Sequence, residues 1–252
     1  MKRIAVVTGA SSGMGREFVL QLNAFCPDLN EIWVLARRRK RMEQLASQCS
    51  VPIRIFAGDL TKKKFLHTLE NTLKKEQPVV RILVNAACFG KTGTVAEIAA
   101  KDRKSQTHMI EVNCRALTDI TESCLPFLHR GSRIINLASA AAFCPQPSFA
   151  VYAATKAYVL SFSRALGMEL KRKEIYVTAA CPGPVKTEFF RISGNPSVPI
   201  KKQFAAEAPA VVRKTLRDSM KKKEVSVYGA CMKSARLGAK LLPHRLIMRL
   251  FC

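Results

Sequence analysis

Thr8-Gly9-Ala10-Ser11-Ser12-Gly13-Met14-Gly15 joins a short apolar run at the N-terminus to a segment of helical periodicity. The run, residues 4–8, has the length of a buried strand, and the segment after it spans 13–26. Gly9 suits a tight turn, Gly13 lets the backbone approach a pyrophosphate, and Gly15 lets the helix pack closely on a sheet. The helix N-terminus then offers unpaired N–H groups to phosphate. The spacing is G-x-x-x-G-x-G, and three glycines alone are a weak signal. Their place between a first strand and a helix gives them weight, and Gly9, Ser11, Ser12, Gly13, Met14 and Gly15 are the expected dinucleotide contacts of this turn.

The same alternation continues along the chain. Short apolar runs at 4–8, 31–36, 53–57, 81–84, 133–138, 175–181 and 225–227 are predicted strands. Helical stretches at 13–26, 40–49, 62–75, 101–128, 151–171 and 209–222 lie between or beside them. Continuous apolar strands separated by helices predict an α/β fold, with a parallel seven-stranded sheet covered on both faces. No repeat or linker divides residues 1–252, so one doubly wound domain is expected. The Gly- and Pro-containing stretch 182–199 follows the sixth strand. Ligands bind beyond the carboxyl ends of such strands, so residues of about 184–208 are expected to form a substrate loop.

Composition excludes other classes. Half the 252 residues are apolar and a quarter charged, as in ordinary globular chains. No apolar run approaches the roughly 18 residues that span a bilayer. The apolar run 4–7 is too short for a secretory leader, so a cytoplasmic protein is expected. Nine scattered cysteines, with no Cys-x-x-Cys pair, support neither a zinc site nor a disulfide framework. Reduced thiols and no metal are expected. The net charge of +24 attracts phosphates and anionic surfaces. The basic runs are dispersed, however, and nucleic acid is not an expected partner.

The second strand ends in Ala36-Arg37-Arg38-Arg39. Sites selecting NAD place a carboxylate there for the ribose 2′-hydroxyl; here none is near. Guanidinium groups bind phosphate through fork-shaped, charge-assisted bonds. Preference for NADP(H) over NAD(H) is therefore predicted, carried by Arg37 and with it Arg38. Arg39 and Arg41 are assigned to the general basic excess.

Tyr152-Ala153-Ala154-Thr155-Lys156 opens a helical segment and puts Tyr152 and Lys156 on one face. Ser139 lies 13 residues earlier, at the end of a strand. A phenol with a pKa near 10 is a poor base at neutral pH. A neighbouring ammonium and a positive nicotinamide ring favour its phenolate. Tyr152 is thus the expected acid/base, Ser139 the hydrogen-bond partner of the substrate oxygen, and Lys156 the ammonium that also reaches the ribose hydroxyls.

With the glycine turn, this set resembles the short-chain dehydrogenase/reductase family over nearly the whole chain. The resemblance implies a Rossmann-type domain and hydride transfer between nicotinamide and a carbonyl or alcohol. It implies that Asp59-Leu60 contacts adenine and that Asn113 anchors a water in a proton relay, completing a catalytic set of Asn113, Ser139, Tyr152 and Lys156. It also implies that Pro182-Gly183-Pro184-Val185-Lys186-Thr187 holds the nicotinamide carboxamide through its backbone and threonine, and that helices around Asn113 and Tyr152 form a homodimer or homotetramer. One motif departs from the family. Its usual Asn-Asn-Ala-Gly reads Asn85-Ala86-Ala87-Cys88 here, which keeps Asn85 but alters the local backbone of a cofactor-contacting segment.

Phe143, Cys144, Phe149, Phe189, Phe190 and Ile192 predict an apolar cavity, with Ser139, Phe143, Cys144, Phe149, Tyr152 and Phe189 as substrate contacts. A hydrophobic ketone or secondary alcohol fits, such as a steroid or a 3-oxoacyl group on an acidic carrier protein. Residues 230–252 form a basic amphipathic tail, with Leu237, Leu241, Leu246 and Leu250 at helical spacing around Pro243. Packing within the protein is favoured over contact with an anionic membrane. His67, His108, His129 and His244 are given no catalytic role. The alternative to an enzyme is a non-catalytic dinucleotide-binding sensor or interaction protein.

Overall fold

The computed structural model describes residues 1–189, 193 and 205–249. Five strands carry the first half of the fold and its centre: β1 (Arg3–Thr8), β2 (Glu31–Ala36), β3 (Ile53–Ala57), β4 (Val79–Asn85) and β5 (Arg133–Leu137). β6 (Tyr176–Ala180), a short pair β7 (Val185–Lys186) and β8 (Ala206–Glu207), and β9 (Val225–Ser226) complete them. The main sheet is parallel, seven-stranded and ordered β3-β2-β1-β4-β5-β6-β9. Strand order reverses between β1 and β4, which opens a crevice beyond their carboxyl ends. β7 and β8 make a separate two-stranded parallel pair that the sequence did not signal.

Helices cover both faces because successive strand side chains point opposite ways. Ala5, Val7, Ile32 and Val34 pack with Phe18, Val19 and Leu22 of α1 (Gly13–Phe25). α2 (Arg39–Ala46) adds Met42 and Leu45 to that face. Ile4, Val6, Trp33 and Leu35 pack with Leu69 and Leu73 of α3 (Lys63–Glu76) on the other. Both interiors are accordingly apolar, and β1 and β2 read as nearly continuous apolar runs.

The expected single helix over 101–128 is several pieces. α4 (Val95–Ile110) begins earlier, at a capping box in which Thr94 accepts from Glu97 N at 3.2 Å and Glu97 accepts from Thr94 N at 2.8 Å. A π-helical turn, Glu111–Arg115, separates it from α5 (Ala116–Cys124). Pro126 then sits in a 3₁₀ turn, Leu125–Phe127, where its missing N–H costs least. α6 (Ala150–Glu169) and α7 (Ala208–Met220) fall close to their expected places. The tail forms α8 (Ala230–Leu241) and α9 (His244–Met248), divided at Pro243. Phe190, Ile192 and Leu250 lie outside the described residues, as does most of the expected substrate loop 184–208. Among the described residues no helix is long and apolar enough to cross a membrane.

Candidate active site

The loops leaving β1, β2, β4, β5 and β6 converge on one cavity of about 980 Å³. Its floor is the glycine turn. Gly9 adopts φ +68°, and a Cβ there would lie 2.8 Å from both Cα and N of Ala87. A Cβ on Gly15 would overlap the Gly9 carbonyl oxygen. Both positions therefore exclude a side chain, for space at Gly15 and for space and conformation at Gly9. Ser12 precedes α1, yet its hydroxyl does not cap the helix. The first-turn N–H groups stay available beside Ser11, Gly13 and Met14, which also line the cavity.

The Asn85–Cys88 departure is accommodated without strain. Cys88 is absent from the positive-φ residues, so this position asks nothing of glycine. Thr8 Oγ1 accepts from Ala86 N and Ala87 N, both at 3.0 Å, and fixes the turn against β1. Asn85 Nδ2 donates to Thr121 Oγ1 and Asn136 Oδ1, both at 2.9 Å, tying β4 to β5 and α5. Asn85 thus braces the sheet, while Ala86, Ala87 and Cys88 face the cavity.

At the β2 end, Arg37 is exposed along the cleft and Arg38 is anchored. Arg38 Nε donates to Ser11 Oγ at 3.1 Å and Nη2 to Ser12 Oγ at 2.6 Å. Its Nη1 donates to Glu188 Oε2 at 2.8 Å. Arg41, expected to be a solvated charge, also bonds Glu188, and only Arg39 keeps to a surface pair with Glu43. Asp59 and Leu60 line the same end. Burial opposes ionisation of Asp59, but bonds from Thr61 N (2.9 Å) and Thr61 Oγ1 (2.8 Å) hold its carboxyl below the usual range, helped by His108 and Arg37.

At the other end, Ser139 and Tyr152 line the cavity, while Lys156 and Asn113 are buried and do not line it. Ser139 follows β5, where its Oγ accepts from Ala141 N at 3.1 Å and its side chain hydrogen-bonds Tyr152. Phe149 stacks on the Tyr152 ring with centroids 4.2 Å apart, and Phe189 tilts against it at 5.4 Å. Lys156 is buried; its Nζ lies 5.5 Å from the Tyr152 ring centroid and donates to the Leu137 carbonyl at 2.7 Å. The expected drop in the Tyr152 pKa is not what the free site gives. Burial pushes the phenol up, the nearby Cys88 thiol adds to that, and the Ser139 bond opposes it. Asn113 sits in the π turn, a device frequent at functional sites. Its Oδ1 accepts from Phe89 N (3.1 Å), while its Nδ2 donates to Phe89 O (2.9 Å) and Thr155 Oγ1 (3.1 Å).

Phe143, Cys144, Phe149 and Phe189 form an apolar wall, to which the tail adds Met232, Ala235 and Ile247. Met232 closes on the Pro182 turn: a Cβ on Gly183 would lie 2.6 Å from its sulfur. Val185 and Thr187 line the cavity beside that turn, and Thr187 Cβ lies 3.3 Å from where a Gly13 Cβ would be. The residues present suit a dinucleotide: a cradle that side chains would fill, open N–H groups and a held guanidinium. His108, for which the sequence suggests no role, lines this cavity, its ring 5.5 Å from Phe89. Among the described residues no group of histidine, cysteine and carboxylate could hold a metal.

The family model for short chain dehydrogenases matches residues 3–195. An uncharacterized oxidoreductase of Staphylococcus epidermidis is 30% identical over 188 residues, 74% of this chain and 79% of its own. A short-chain dehydrogenase from Sphingobium yanoikuyae, solved in complex with NADPH, superposes with a TM-score of 0.79 at 24% identity, over 99% of this chain and 96% of that one. The bulky-bulky ketone specific alcohol dehydrogenase from Comamonas testosteroni gives 0.73 at 25% identity, over 95% and 94%.

Proposed function

This chain belongs to the short-chain dehydrogenase family, and we propose that within it the protein is an NADP(H)-dependent carbonyl reductase, reversible as an alcohol dehydrogenase, for a hydrophobic ketone or secondary alcohol. One observation carries the reading. A single cavity has the Arg38 fork beside the glycine turn at one end and Tyr152 and Ser139 under an apolar wall at the other, with the buried Lys156 ammonium 5.5 Å from the Tyr152 ring. Nicotinamide, when bound, supplies or accepts the hydride. The remaining work falls to the chain. Ser139 Oγ fixes the carbonyl oxygen, and Tyr152 Oη, kept protonated by burial, gives it a proton. As that proton leaves, the Lys156 ammonium stabilises the phenolate. Asn113 holds the Phe89 backbone that backs the pocket. A steroid or a 3-oxoacyl chain suits the Phe143–Cys144–Phe149–Phe189 wall.

The test is turnover of a panel of apolar ketones with NADPH and with NADH. Tyr152→Phe should cut turnover more than ten-fold and leave NADPH binding nearly intact; residual activity above a tenth of wild type would remove the acid/base role. Arg37→Asp and Arg38→Asp should each move preference toward NADH by about 1–3 kcal/mol, the scale of a charge-assisted bond. Binding of NADPH without turnover of any ketone, unchanged in Tyr152→Phe, would favour the non-catalytic sensor instead.

Other parts of the reading have their own support. All eight cysteines among the described residues are free, as in the reducing cytoplasm. Exposed Ile110 and Tyr158, on α4 and α6, suit a subunit interface, to be tested by light scattering. α8 turns Met232 and Ala235 to the cavity, as intramolecular packing requires, and leaves Leu237 and Leu241 exposed beside Lys233 and Lys240. We assign that outward face to peripheral contact with an anionic bilayer. Sedimentation with anionic vesicles, lost in Leu237→Ser/Leu241→Ser, is the expected result; no sedimentation at low salt would remove the assignment.

A further inference from the structure

Glu188 follows Thr187 on the segment leaving β7, 150 residues from Arg38 in sequence, yet two guanidinium groups from the β2–α2 end close on its carboxylate. Arg38 Nη1 donates to Oε2 at 2.8 Å. Arg41 Nη1 donates to Oε1 at 3.2 Å and to Oε2 at 3.0 Å. The bond from Arg38, with that from Arg41, holds the carboxyl down to about 2, so it is charged at any working pH.

Arg38 has its other edges in use. Nε is on Ser11 and Nη2 is on Ser12, both in the glycine turn. These serine bonds fix the plane of the fork and aim its remaining edge at Glu188. A phosphate monoester arriving at Arg38 has the same need as the carboxylate, an oxyanion facing a guanidinium edge, and carries more charge. It can therefore be seated only by taking the carboxylate's place or by suffering its repulsion. A ribose 2′-hydroxyl makes no such demand.

We infer that Glu188 is an internal stand-in for the cofactor 2′-phosphate, competing with it for Arg38 and Arg41 and so setting the margin between NADP(H) and NAD(H). The inference rests on the reading of Arg38 as the phosphate ligand. It accounts for the exposed Arg41 reaching from α2 to a carboxylate on the segment leaving β7. It also makes Glu188 a specificity residue that selects by opposition, a penalty levied on the phosphorylated dinucleotide alone.

The probes are 2′,5′-ADP and 5′-AMP, which carry the adenosine end with and without the 2′-phosphate, titrated calorimetrically into wild type, Glu188→Gln and Glu188→Ala. Both variants should bind 2′,5′-ADP about ten-fold tighter than wild type and 5′-AMP within about two-fold. The unchanged 5′-AMP affinity also reports an intact fold. An unchanged or weakened affinity for 2′,5′-ADP in both variants would overturn the inference. Arg38→Ala separates the two ideas. If it abolishes the wild-type preference for 2′,5′-ADP while the Glu188 variants change nothing, the carboxylate is a bystander and the cofactor reading stands. If Arg38→Ala leaves that preference as it was, the phosphate does not sit there and both ideas fall.

Discussion

The Lys156 ammonium donates to the Leu137 carbonyl at 2.7 Å, and the same hydrogen bond ties the middle of α6 to the end of β5. Lysine and tyrosine are one helical turn apart, and the ammonium lies 5.5 Å from the tyrosine ring centroid. Burial, with the Phe149 and Phe189 rings against the tyrosine, outweighs the Ser139 bond, and the phenol is pushed above its ordinary range.

Alkaline absorbance titration should show this directly. Of the four tyrosines, one should stay protonated beyond the pH at which an ordinary phenol ionises, and that signal should vanish in Tyr152→Phe. A group whose native pKa is raised stabilises the fold below its unfolded pKa, and that contribution is lost as pH rises through the native value. Tyr152→Phe should therefore flatten the alkaline limb of the stability curve. Four tyrosines ionising together would contradict the burial account.

Gly90 is pressed by three rings. A Cβ there would lie 2.9 Å from Phe189 Cζ and 3.0 Å from both Phe149 Cζ and Tyr152 Cδ2. Gly90→Ala must displace at least one ring, at an overpacking cost of about 1–3 kcal/mol. Turnover should fall further than stability, because the displaced rings orient Tyr152. Adding Phe149→Leu to Gly90→Ala should recover part of the activity by making room; no recovery would mean that the rings do not set the tyrosine.

How much of this could be read in advance follows from sequence distance. The glycine turn and the Tyr152–Lys156 pair are contiguous or one helical turn apart, so their geometry is implicit in their spacing. The capping box at Thr94 and Glu97 was also local, and its signal, Thr-x-x-Glu before a helix, was present. The Arg41–Glu188 contact spans 147 residues and no spacing announces it. Nor does spacing reveal that Met232 of α8 closes the cavity against Gly183. The direction of the Tyr152 shift was the subtlest case: the neighbouring ammonium is visible in sequence, but the burial that raises the phenol is not, because Phe189 reaches the ring from a segment 37 residues away.

Thr8 offers a cleaner test of the altered Asn85–Cys88 turn. Its buried hydroxyl is the acceptor for two backbone donors, Ala86 N and Ala87 N, both at 3.0 Å. Thr8→Val keeps the shape and removes the acceptor. Leaving buried N–H groups unmet should cost about 1–3 kcal/mol in a denaturant melt. Dinucleotide affinity should weaken too, since Ala86 and Ala87 line the cleft. A stable variant with unchanged affinity would mean that the turn is held by other contacts.

Asp218 governs the acid side of stability. It is buried at the end of α7, where Ser226 Oγ donates to Oδ2 at 2.8 Å, Lys223 Nζ pairs with Oδ1 at 3.1 Å, and Lys214 Nζ also bonds Oδ2. Burial opposes ionisation, but bonds from Lys214, Ser226 and Lys223 prevail and hold the carboxyl below its usual range. A carboxyl lowered in the native state stabilises the fold above its unfolded pKa, and that stabilisation is lost as pH falls through the native value. The cluster joins α7 to β9, the edge strand that completes the sheet beside β6. Asp218→Asn should thus lower stability at neutral pH by about 1.5–3 kcal/mol and remove part of the acid-limb slope below the ordinary carboxylate range. Equal slopes in wild type and variant, measured by urea melts from pH 7 downward, would assign the acid sensitivity to other carboxylates.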